Sequence, residues 1–174
     1  MVRQGAAILT ILMAFVLGLA LGGDAVAAEK VKLRTVLYGV KWETIELSDH
    51  EGHLIGVVEG KGIQSVIAGK LLCDGCTVRY GAVIDVETKI GTGACHGYGE
   101  VTDKDGDKYY YARRGKMLRM EAQASRSDWE GEVTIVRGTG KYEGIQGKGT
   151  WAAHVVAPQQ WYYDEEIEVE LPEH

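Results

Sequence analysis

Near the C-terminus of this sequence, a carboxylate stands where the pattern calls for a hydrophobic residue. Trp161, Tyr163, Ile167, Val169 and Leu171 share one parity, while Tyr162, Asp164, Glu166, Glu168 and Glu170 share the other. Residues of like parity in a strand share a face, so Glu165 falls with the apolar set, on the face expected to point inward. A carboxylate there must be hydrated, paired or held protonated. Such groups in cavities are candidates for ligand contact or acid–base work. The competing reading puts residues 164–166 at a wet rim or bulge, where parity slips and Glu165 is solvated. Trp161 and Tyr163 beside it, with Tyr80 and Trp129 in other segments, are the companion candidates for ligand contact. Tyr and Trp suit that task because each joins an apolar body to a polar tip. No residue is assigned a catalytic role.

Other residue groups invite chemistry and explain themselves more simply. Cys73-Asp74-Gly75-Cys76 has the spacing of a redox motif, but no βαβ pattern surrounds it, and Thr77 stands where haem attachment needs a His. Three cysteines in an oxidising compartment predict one disulfide and one free thiol, with Cys95 as the preferred partner of Cys73 or Cys76. His50 and His53 bracket Glu51-Gly52 beside Asp49, yet third and fourth metal ligands are not evident. That stretch reads first as a polar turn, and no metal is assigned. Asp103-Lys104-Asp105-Gly106-Asp107 lacks the Gly and Glu placement of a calcium loop and reads as a hairpin turn. The glycine-rich Gly138–Thr150 stretch puts Tyr142 and Gly149 at positions where a phosphate loop needs Gly and Ser or Thr. Its glycines fit bends and bulges instead. No Ser sits in a nucleophile elbow, and no cofactor is implied.

The elements that would hold these residues follow an N-terminal segment that reads as an export signal. Arg3 precedes an uncharged apolar run, Ala6 to Gly23, and small residues at Ala25–Ala28 offer a cleavage site. Residues 1–28 are therefore expected to be a signal peptide, leaving 146 of 174 residues as a single domain, 29–174, in the periplasm or outside the cell. The net charge of −6 argues against nucleic acid or an anionic membrane as partner, since both demand clustered Lys and Arg. Stable membrane insertion after signal removal is not expected.

Nearly every later segment alternates with period two, and Gly-rich punctuation divides the chain into about eight strands: 31–47, 53–66, 69–86, 92–103, 107–114, 118–136, 141–157 and 161–171. Met120, Ala122 and Ala124 illustrate the alternation. Asp105-Gly106 predicts a two-residue turn. A parity shift between Trp42 and Ile45 predicts a bulge near Thr44. The fold expected is all-β, an antiparallel barrel whose closure removes exposed edges. A two-sheet β-sandwich is the alternative.

Three segments carry a family resemblance. Trp42-Glu43-Thr44-Ile45 with Asp49-His50-Glu51-Gly52-His53, the stretch TDKDGDK at Thr102–Lys108 and GTGKYEGIQGKGT at Gly138–Thr150 resemble small exported bacterial proteins related to allene oxide cyclase-like and dirigent-like barrels. The similarity covers most of residues 36–151 and rests on turns and glycine placement. It implies an eight-stranded barrel with a central cavity, overlapping the lipocalin shape. Plant members cyclise a fatty-acid epoxide or steer phenol coupling, often as trimers, so the implied partner is a small apolar or phenolic molecule and a homo-oligomer is compatible. The cyclases use a Glu and a water positioned partly by an Asn. This chain has no Asn, so no catalytic residue transfers.

Three functions follow. The leading one is a barrel binding a small, partly apolar molecule. The second is a cyclase or isomerase on a lipid-like or phenolic substrate. The third is a structural domain with a packed interior. A cavity would set the first two apart from the third, and a strongly shifted inward carboxylate would separate the first two from each other.

Overall fold

The computed structural model describes residues 28–121 and 126–172. The expected signal peptide, apart from Ala28, and the alternating Ala122 and Ala124 lie outside the described residues.

Eight antiparallel strands follow one another around a single closed barrel: β1 (Glu29–Glu46), β2 (His53–Ala68), β3 (Cys76–Glu87), β4 (Thr92–Thr102), β5 (Lys108–Glu121), β6 (Arg126–Gly138), β7 (Gln146–Ala157) and β8 (Gln160–Glu170). Each strand pairs with its neighbours in sequence. The ring closes where β1 pairs with β8, from Glu29 opposite Val169 to Tyr38 opposite Gln160. One sheet closed on itself excludes the sandwich.

Alternation does the sorting. On β1, Val31, Leu33, Thr35 and Leu37 are buried while the residues between them face water. On β8, Trp161, Tyr163, Glu165, Ile167 and Val169 are buried in the same way. The two ends of the barrel differ. At one end the connections 69–75 and 139–145 fold inward, and Leu72, Tyr142 and Ile145 are buried under the strands. Tyr109 donates to Gln64 Oε1 at 2.6 Å, and Gln64 Nε2 donates to the Cys73 carbonyl at 3.1 Å, which satisfies the polar atoms in this plug. At the other end, loops 47–52, 88–91 and 158–159 leave the interior open.

Several expected boundaries move, each for a physical reason. The bulge in β1 falls at Val40, between the pairs Gly39–Gly60 and Lys41–Glu59. Parity therefore flips before Trp42, which turns Trp42 and Thr44 to the interior and leaves Ile45 outside, 69 % exposed. Residues 69–75 are a capping loop rather than the start of β3. β5 runs on through Gly115 to Glu121, so the predicted break at 114 is absent. Gly115 is not punctuation there; a Cβ on it would enter the Trp151 ring. Gly140–Tyr142 form a short 3-10 turn and β7 starts only at Gln146, with Gly144 between them at φ +75°, where only glycine is comfortable. The turn after β4 is longer than two residues, spanning Asp103 to Asp107, whose backbones bond to each other.

The disulfide joins Cys73 to Cys76, with Cα atoms 5.9 Å apart, and Cys95 is the free cysteine. The expected pairing through Cys95 fails on register. Cys95 stands opposite Ile84, eight residues along β3 from Cys76. At the rise of a strand that is about 26 Å, far beyond disulfide reach.

Candidate functional site

The open end of the barrel holds a cavity of about 490 Å³. Its wall is built from inward residues of the strands that converge on the mouth: Trp42 and Leu54, Val58 and Ala82, Met117, Trp151 and Val155 among them. Of the residues singled out in the sequence, Tyr80, Trp129, Trp161 and Tyr163 all line it. Trp129 Nε1 donates to Ser127 Oγ at 2.9 Å, and Trp151 Nε1 donates to the Glu132 carbonyl at 2.9 Å, so both indoles are held by their polar ends.

Room for the rings comes from glycines on the strand facing them. Cβ atoms on Gly97 and Gly99 of β4 would occupy the positions of the Tyr80 and Tyr111 rings. The two tyrosines can lie across β4 only because those inward positions are empty.

Glu165 does not line the cavity. It lies beneath, 4 % exposed, and its two oxygens accept from Arg113: Nε to Oε1 at 3.1 Å and Nη2 to Oε2 at 2.6 Å. Arg113 is 1 % exposed, and its guanidinium carbon sits 3.8 Å from the Tyr163 ring centre, 4.4 Å from Tyr111 and 5.2 Å from Tyr80. This is a bidentate ion pair inside a cage of aromatic faces, a form of contact that suits guanidinium. Tyr80 and Tyr163 thus have two roles, floor of the cavity above and cage of the arginine below. The wet-rim reading of Glu165 does not hold.

Electrostatics follow burial. Burial opposes the Arg113 charge, but the Glu165 carboxylate and the Tyr111, Tyr163 and Tyr80 phenols together outweigh it, so its pKa lies above the ordinary guanidinium value. Burial pushes the Tyr80, Tyr111 and Tyr163 phenols up, so all three are neutral across the physiological range. Burial also raises the Cys95 thiol on the cavity wall to about 11, with Arg113 pulling weakly the other way. The Tyr80 and Tyr111 hydroxyls and Arg113 Nη1 are buried without a hydrogen-bond partner among the described residues. Buried polar atoms without partners are uncommon in folded proteins.

Sequence reasoning missed Arg113. The signal was present: Tyr109, Tyr111, Arg113, Gly115 and Met117 share one parity, and a buried Glu165 requires a cation. Reading Gly115 as a break hid that run.

No family model matches this chain, and no curated protein matches it. Among solved structures, the barrel is similar to a protein of unknown function from the DUF3224 family of Shewanella oneidensis MR-1, with a TM-score of 0.50 and 14 % sequence identity. The match covers 85 % of this chain and 100 % of that one. At that identity the likeness is one of fold: both chains build the same kind of barrel.

Proposed function

We propose that this chain is an exported barrel that binds a small, partly apolar molecule in the cavity at its open end. The observation that carries the reading is the cavity itself. A space of about 490 Å³ lies within the ordinary range for small-molecule sites, roughly 300–1,000 Å³, and its lining is mostly apolar and aromatic. A few polar side chains, Arg126, Ser127 and Gln159 among them, line it as well. That combination suits a molecule with an apolar body and a hydrogen-bonding group, including the phenolic or lipid-like compounds implied by the resemblance to allene oxide cyclase-like and dirigent-like barrels. Export fits the disulfide, which persists in oxidising compartments. It also fits the N-terminal segment read as a signal. No helix among the described residues is long and apolar enough to cross a membrane.

Binding is favoured over catalysis because Glu165 is engaged. Both of its oxygens accept from Arg113, so it does not offer a free base to the cavity. Unbiased mass spectrometry on protein purified from its native host is expected to find a co-purifying small molecule, and anilinonaphthalene sulfonate is expected to saturate one site. Val155→Trp at the wall should weaken that probe by about tenfold or more, about 1.4 kcal/mol, with little change in melting temperature. Absence of both a bound compound and a saturable probe site would leave the packed structural domain as the better reading.

A further inference from the structure

The loop between β1 and β2 carries Asp49 and His50, and β2 opens with His53. Register places His53 opposite Glu87 and Ile55 opposite Asp85, so two carboxylates of β3 stand on the outer face beside the two imidazoles. His53 Nδ1 lies 2.9 Å from Asp49 Oδ2 and 3.9 Å from Glu87 Oε1. His50 Nδ1 is 3.2 Å from Asp49 Oδ2, and its Nε2 is 2.5 Å from Glu87 Oε2. The far nitrogen of His53, Nε2, meets Asp85 Oδ1 at 3.0 Å.

We propose that Asp49, His50 and His53 form a binding site for a divalent transition-metal ion of the zinc class, with Asp85 and Glu87 as the carboxylates that orient His53 and His50.

Geometry supports it. A tetrahedral ion with bonds of about 2.0–2.2 Å holds its donors about 3.3–3.5 Å apart. The separations of 2.9 and 3.2 Å from Asp49 Oδ2 to the two Nδ1 atoms lie a little below that spacing, and the donor atoms of Asp49, His50 and His53 all lie within 4.8 Å of one another. Chemistry narrows the ion. Two imidazoles with one carboxylate, and water in the fourth position, suit zinc, copper or nickel, whereas calcium and magnesium take oxygen ligands throughout. Asp85 supplies the outer partner that metal-bound histidines regularly have: a carboxylate at one ring nitrogen fixes the tautomer and aims the other nitrogen at the metal.

The sequence shows two histidines and an aspartate in one turn. The orienting carboxylates come from residues 85 and 87, which only the β2–β3 register brings alongside. An ion here would fasten the β1–β2 loop to β3 at the mouth end of the barrel. The loop is already tied there by the Thr88 backbone N–H and hydroxyl, which donate to the Gly52 carbonyl at 2.9 and 3.0 Å. Since the site lies on the outer wall, it stands or falls independently of the cavity.

The test is titration of the chain, free of any histidine tag, with zinc alone by calorimetry and with cobalt(II) by absorption. One equivalent of zinc is expected to bind, and cobalt is expected to give the bands of a four-coordinate ion. His50→Ala and His53→Ala should each weaken zinc by about tenfold or more, and Asp85→Asn by about 10–100-fold with the stoichiometry kept. His154→Ala, on β7, should change nothing. Circular dichroism of each metal-free variant checks its fold, and Glu87→Gln is the second variant if a histidine change disturbs the loop. No saturable zinc binding, undiminished affinity in the His50→Ala/His53→Ala double variant, or equal damage from His154→Ala would overturn the proposal.

Discussion

Arg113 and Glu165 are buried together as a bidentate ion pair. A buried guanidinium without its carboxylate would have only the aromatic faces of Tyr80, Tyr111 and Tyr163 around it. Breaking such a pair costs about 3–5 kcal/mol, because the surviving charge is left unpaired. Glu165→Gln and Arg113→Met should each lower stability by about that amount in urea unfolding, whereas the double change Arg113→Met/Glu165→Leu should recover much of the loss. A single variant as stable as the parent chain would show that the pair does not hold the floor. At this scale the sequence was half legible. Parity alone pointed Glu165 inward, since every second residue around it is apolar. The partner was hidden because Tyr110 and Tyr111, then Arg113 and Arg114, are of like type on opposite faces, and only the register separates them.

The turn between β4 and β5 shows how an element is fixed by one side chain. Asp103 Oδ1 accepts from the backbone N–H groups of Asp105 and Asp107 at 2.8 and 3.0 Å, and its other oxygen pairs with Lys141 in the turn before β7. Burial works to raise the Asp103 pKa, but Lys141 and the two N–H groups outweigh it, and the net shift is downward. A depressed carboxylate contributes stability that is present above its unfolded value of about 3.9 and lost as pH falls through the lower folded value. Asp103→Asn should therefore be less stable than the parent at neutral pH, by about 1 kcal/mol. The gap should close as acid titrates the parent, and unfolding curves between neutral pH and about pH 2 would check both the gap and its closure. A gap that persists at the acid end would mean the carboxylate charge is not what holds the turn. The strands themselves were mostly readable, because a half-buried sheet writes its faces into the sequence with period two. What was not readable was the meaning of a glycine. Gly106 and Gly144 take positive φ and do mark turns, while Gly97, Gly99 and Gly115 lie mid-strand and clear space for rings. Both kinds look alike in one dimension. They differ only in what stands across the barrel.

As a whole molecule the barrel is built unevenly. One end is filled by Leu72, Tyr142 and Ile145, the other end is hollow, and the ladder between β1 and β8 closes the ring. The ion pairs across that closing seam, Lys32–Glu166 and Arg34–Asp164, are exposed, and pairs of that kind contribute little. Closure therefore rests on the backbone ladder and on Val31, Leu33, Ile167 and Val169 beneath it. Amide hydrogen exchange should reflect this gradient. The slowest amides are expected near Val31, Val101 and Val169, and faster exchange is expected toward the mouth in Trp42–Glu46 and His53–Ile55. Uniform protection along β1 and β2 would contradict it. Zinc would be expected to slow the mouth end alone.

The thiol on the cavity wall changes what an odd number of cysteines means for this chain. With its pKa raised to about 11, Cys95 is thiolate in only about one molecule in ten thousand at neutral pH. Exchange with a disulfide needs that thiolate. Cys73 in the capping loop and Cys76 at the start of β3 are joined to each other, while Cys95 supplies almost no nucleophile to attack them. Once the ring of strands has closed, the barrel wall serves as the protecting group for its own spare sulfur and keeps it out of exchange with the Cys73–Cys76 disulfide.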